Sequence, residues 1–147
     1  MKATHYFFLF LILAGFIVIS STFHLYLSPR TDVQFDQFTI TFDGVNATGE
    51  IEYNVGFLTD LYIFFFGSRN LDPYITNFLY GFGEYRIVSF KDNSVTVEFV
   101  NSSRFVDPYY LHDSRPLGSP VHRLILLYPD GETRIYENVS ATPNTFY

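Results

Sequence analysis

Asp107, His112, Asp113 and His122 are the side chains of this sequence best equipped for chemistry, two carboxylates and two imidazoles within the stretch DPYYLHDSRPLGSPVH. Imidazole and carboxylate are proper ligands for zinc or iron, so these four could hold a metal if the fold gathered them. Their spacing does not gather them by itself. His112 and Asp113 are neighbours rather than an i, i+3 or i, i+4 helical pair, and no HExxH motif is present. Ser114 and Ser119 lie near the same histidines, but there is no GxSxG elbow, and a triad is a geometry rather than a list of residues.

The segment therefore carries two expectations. One is a membrane-anchored metal-dependent or acid/base enzyme centred on residues 107–122, with no catalytic residue assignable and no cofactor named by a motif. The preferred one is an ordered loop, pinned by the turn dipeptides Asp107-Pro108 and Ser119-Pro120, that presents a recognition surface. Its residues are Tyr109, Tyr110, His112, Asp113, Arg115 and His122, types enriched where binding energy concentrates. Arg115 is expected to pair with Asp107 or Asp113, and Tyr109, Tyr110 and Leu111 to pack the loop onto the domain.

Composition bounds the alternatives. Aromatic residues make up 20% of 147 residues while Cys and Trp are absent, so Phe, Tyr and aliphatic side chains must fill the core. Without Cys there are no disulfides, thiolate metal sites or cysteine nucleophiles. A net charge of -6 with no run of Lys or Arg argues against a nucleic-acid partner, whose phosphates need clustered positive charge.

From Tyr6 to Ile19 every residue is apolar, and the apolar character resumes at Phe23, Leu25, Tyr26 and Leu27. At about 1.5 Å per residue, residues 6–27 would cover roughly 33 Å as a helix, enough for a hydrocarbon core of about 30 Å. This predicts a signal-anchor transmembrane helix. The alternative is a cleaved signal peptide, with Ser20 and Ser21 as the small residues at the cleavage site. Lys2 before the helix, and Arg30 balanced by Asp32 and Asp36 after it, place the domain outside the cytoplasm of a single-pass cell-membrane protein. Asn46-Ala-Thr, Asn101-Ser-Ser and Asn138-Val-Ser are glycosylation acceptors consistent with that side.

The layout is similar in outline to that of bacterial and archaeal envelope proteins and of pilin-like subunits. However, Met1 to His5 contain no pilin processing motif.

The elements that must position residues 107–122 are legible in part. Phe38, Ile40 and Phe42, then Ile51, Tyr53, Val55 and Phe57, alternate with polar residues around an Asp43-Gly44 turn, which predicts a half-buried hairpin with Glu50 and Glu52 on its solvated face. Asp72 as N-cap, Pro73 at the first helical position and Ile75, Phe78, Leu79 and Phe82 at helical spacing predict a helix. A second short helix is expected over residues 59–67. Strands follow over 85–91 and 95–100 about an Asp92-Asn93 turn, and over 121–128 and 133–136 about Pro129-Asp130-Gly131, with 124–128 apolar enough to be a central strand.

The expected fold is α+β: an N-terminal transmembrane helix, then a mainly antiparallel sheet of about six strands with one or two helices packed on one face. Residues 1–28 form the anchor and a short tether, and residues 29–147 the extracytoplasmic domain. Phe146-Tyr147 is expected to dock on that domain rather than stand in water. The function expected is that of a membrane-anchored protein-binding or complex-stabilising envelope component.

Overall fold

Alternation of apolar and polar residues becomes a six-stranded sheet with one dry face. The computed structural model describes residues 33–57 and 71–147. The helices expected over 6–27 and 59–67 lie outside them. Among the described residues no helix is long and apolar enough to cross a membrane. Strands β1 (Val33–Asp43) and β2 (Asn46–Val55) form the expected hairpin, turned by Gly44 at a φ of +56°, a conformation glycine adopts without Cβ strain. Helix α1 (Asp72–Phe78) follows, then β3 (Tyr85–Phe90), β4 (Ser94–Phe99), β5 (Arg104–Val106), β6 (Tyr109–His112), β7 (Pro116–Leu127), β8 (Thr133–Ala141) and β9 (Thr145–Phe146).

The main sheet runs β3-β4-β2-β1-β7-β8, and a second sheet runs β5-β6-β9. Two features correct the α+β expectation. The described domain is mostly sheet with one short helix, and the main sheet is mixed because β1 and β7 pair in parallel, Phe38 opposite Leu124 and Ile40 opposite Leu126. A parallel neighbour has no hairpin to announce it in the sequence.

The dry face carries Phe38, Ile40, Ile51, Val95, Val97, Phe99, Leu124 and Leu126, all buried, with α1 packed over it. Phe78 of α1 stacks on Phe35 with ring centroids 4.0 Å apart and meets Phe38 edge-on at 5.5 Å. The helix starts differently from the expectation: Leu71 is the N-cap with no side-chain cap, and Asp72 lies in the first turn, where its charge still suits the helix dipole. Glycine makes the close fit possible at two places. A Cβ on Gly118 would strike the carbonyl oxygen of Asn77 in α1, and one on Gly49 would lie 2.7 Å from the Phe99 ring.

The opposite face is wet and largely self-paired. Glu98 meets Arg86 across β3 and β4, Glu50 meets Lys91 at 3.4 Å, and Glu52 accepts a hydrogen bond from Gln37 at 3.0 Å. Glu50 and Glu52 thus occupy the solvated side that alternation assigned them.

Candidate functional site

The stretch read as a loop is mostly strand. Val106 pairs with Tyr109 and Phe105 with Tyr110 across a tight β5–β6 hairpin, and β9 adds on the other side with Leu111 opposite Phe146 and His112 opposite Thr145. Backbone pairing continues past β9, since Tyr110 N–H donates to the Tyr147 carbonyl at 2.9 Å and Tyr147 N–H returns the bond at 3.1 Å. Side chains alternate along strands, so this small sheet has two faces of different character. Tyr110, His112 and Thr145 point toward the domain, while Arg104, Val106, Tyr109, Leu111 and Phe146 share the outer face.

His112 anchors the inner face. It is fully buried, 5.1 Å from the Phe42 ring and 6.4 Å from that of Phe82. Its Nδ1 lies 3.0 Å from the Ser102 carbonyl oxygen and its Nε2 3.1 Å from Thr142 Oγ1. A carbonyl only accepts, so Nδ1 carries the proton and Nε2 accepts from the Thr142 hydroxyl. Thr142 Oγ1 in turn accepts the Arg115 N–H at 2.8 Å. Every polar atom of this buried group has a partner, which removes the penalty of roughly 1–3 kcal/mol that an orphaned one would carry. Burial is the main influence on its proton affinity and holds the imidazole pKa below its ordinary value, assisted by the Arg115 charge and opposed by the Ser102 hydrogen bond and Asp113.

Tyr147 closes the same face. Its hydroxyl donates to the Gly44 carbonyl at 2.9 Å and accepts from Ser103 Oγ at 2.7 Å, and its ring stacks on Phe42 at 4.6 Å and on Tyr110 at 5.8 Å. Beside it, the Tyr128 hydroxyl and Thr145 Oγ1 are 2.8 Å apart, with Arg134 above the Tyr128 ring at 4.9 Å. The expected docking of the last residues is therefore made by Tyr147, whereas Phe146 stands 55% exposed.

The six residues singled out in sequence do not converge. Tyr110 and His112 are internal, Tyr109 is external, and His122 is exposed on β7, away from the small sheet. Among the described residues no set of three His, Asp or Glu side chains is grouped to hold a metal, so Asp107, His112, Asp113 and His122 do not form the centre their types allowed. Asp113 pairs with Arg104 at 3.3 Å rather than with Arg115. Tyr109 does not pack inward as Tyr110 does, because neighbours on a strand face opposite ways.

What the structure assembles instead is the outer face: Val106 (42% exposed), Tyr109 (56%) and Phe146 (55%), with Leu111 between them and the Arg104–Asp113 pair at the edge. Leu111, expected to pack inward with Tyr109 and Tyr110, lies on this outer face instead, and nothing in the sequence singles out Val106 or Arg104, although the alternation Tyr109/Leu111 is a usable signal over a very short strand. No protein-family model matches the chain, and no curated protein or solved structure shows detectable similarity to it.

Proposed function

We propose that this chain is a membrane-anchored, extracytoplasmic protein-binding component of a cell envelope, with the outer face of the β5-β6-β9 sheet as its docking surface. The observation that carries the reading is the exposure of Val106, Tyr109 and Phe146 side by side on a sheet whose other face is locked to the core by His112 and Tyr147. A rigid aromatic surface with an adjacent ion pair binds with little ordering cost, which is the usual anatomy of an interface centre and rim. The anchor is residues 6–27, and the exposed sequon residues Asn46, Asn101 and Asn138 suit a domain outside the cytoplasm.

The test is site-specific photocrosslinking in native membranes, with the photoreactive residue at position 109 and, as a control, at position 50 on the wet face of the main sheet. A discrete protein adduct formed from position 109 and not from position 50 is the expected result. Identical patterns from both positions, or none from either, would remove the basis for the docking surface.

A further inference from the structure

A cleft of about 200 Å³ opens where the α1–β3 turn, the β4–β5 connection and the residue preceding β7 meet. Phe82, Gly83, Glu84, Asn101, Ser102 and Arg115 are among the residues that line it. It is separate from the outer face of the small sheet, and nothing in the docking reading uses it.

Arg115 sets its chemistry. Arg86, Lys91, Arg104 and Arg134 each meet a carboxylate. Among the described residues, Arg115 and Arg123 have no carboxylate within ion-pair distance, and of these two only Arg115 is partly withdrawn from water. Its backbone is fixed from both sides by Thr142, whose Oγ1 accepts the Arg115 N–H at 2.8 Å and whose N–H donates to the Arg115 carbonyl at 2.8 Å. A partly exposed guanidinium on a cleft wall with no carboxylate within ion-pair distance among the described residues is free to take an anion, and its planar fork suits the paired oxygens of a carboxylate or a phosphate.

The walls fit that ligand class. Phe82 stacks on Phe99 at 4.5 Å and gives an apolar floor. Gly83 leaves open space where a side chain would stand. Asn101 holds a φ of +52° with its N–H bound to Asn46 Oδ1 at 3.1 Å, and the Ser102 carbonyl is occupied by His112, so this wall is rigid. Glu84 places a negative charge on the lining, which repels any ligand bearing a second one. We propose that the cleft binds a small organic monocarboxylate, the carboxylate on the Arg115 fork and the apolar body against Phe82 and Phe99.

The experiment is an NMR titration of the ¹⁵N-labelled full-length chain in detergent micelles with phenylacetate, phenylacetamide and inorganic phosphate, following the amides of Gly83, Asn101 and Ser102. Phenylacetate is expected to give saturable shifts with a Kd on the order of millimolar. Affinity should fall at least about tenfold in Arg115→Ala, be partly retained in Arg115→Lys and rise in Glu84→Gln, since removing one of two opposed local charges changes binding by roughly that factor.

Phenylacetamide and phosphate should leave the three signals in place. Absence of saturation by phenylacetate, an equal response to phenylacetamide, equal affinity for phosphate, or unchanged affinity in Arg115→Ala would each overturn the proposal. The amides of Phe38 and Leu124 report the fold, and if Arg115→Ala does not fold, unchanged phenylacetate affinity in both Arg115→Lys and Glu84→Gln overturns it equally.

Discussion

Thr142 donates its hydroxyl to Nε2 of the buried His112, 3.1 Å away and 30 residues earlier in the chain. The bond ties the segment leading into β9 to the strand that β9 completes, while burial disfavours the charged form of the ring. Replacing His112 by Leu leaves the Thr142 hydroxyl and the Ser102 carbonyl without this partner, and the expected loss is about 2–4 kcal/mol, read from urea unfolding at neutral pH.

The same histidine makes stability depend on pH. Its folded pKa lies below its unfolded value because burial disfavours the charged ring. The unfolded chain then binds more protons in the acid range, so the unfolding free energy is at its full value above about pH 6.5 and falls as pH drops from there through the depressed folded value. Urea midpoints measured at pH 7.5 and 5.0 should differ in the wild type, and the difference should shrink in His112→Leu. An equal midpoint shift in both proteins would assign the acid sensitivity elsewhere.

Tyr147 and Phe146 are adjacent yet should behave as opposites. Tyr147→Ala removes three aromatic contacts and two hydrogen bonds from a half-buried ring and is expected to cost about 3 kcal/mol, with Tyr147→Phe near 1 kcal/mol. Phe146→Ser lies on the exposed face and should shift stability by less than about 0.5 kcal/mol. Thermal melts of the three variants decide this, and a large effect at Phe146 would mean that its ring is covered in the isolated protein.

Two glycines rank by what surrounds them. Gly118→Ala drives a Cβ into backbone of α1, which cannot swing aside, whereas Gly49→Ala presses on the Phe99 and Phe38 rings and a Val97 methyl group, which can shift slightly. Overpacking of this kind costs typically about 1–3 kcal/mol, and Gly118→Ala should exceed Gly49→Ala in any chemical denaturation series.

Local periodicity made part of this molecule legible. The β1–β2 hairpin, the helix opening at Asp72-Pro73 and the turns at Asp92-Asn93 and Asp130-Gly131 follow from alternation and turn chemistry within a few residues. The β1–β7 pairing does not, because its strands lie some 80 residues apart and parallel register leaves no local mark. Pro108, Pro116 and Pro120 made residues 107–122 look like a loop, yet β6 fits between the first two, and β7 absorbs Pro120 through the register slip between Pro116 and Val121. The role of His112 leaves the least local mark of all. Whether a histidine is ligand, base or staple depends on partners such as Ser102 and Thr142, which the chain brings from both directions.

Docking through the outer face of the small sheet is tested most directly by a paired measurement on the variant Val106→Ser, Tyr109→Ser, Phe146→Ser. These side chains are exposed, so the melting temperature of the folded domain should stay within about 4 °C of wild type. In native membranes, the adduct formed by a photoreactive residue at position 104 on the rim of that face should disappear with the triple substitution. A melting temperature that collapses would make these residues structural, and an adduct that persists at full strength on a stable variant would contradict the docking surface itself.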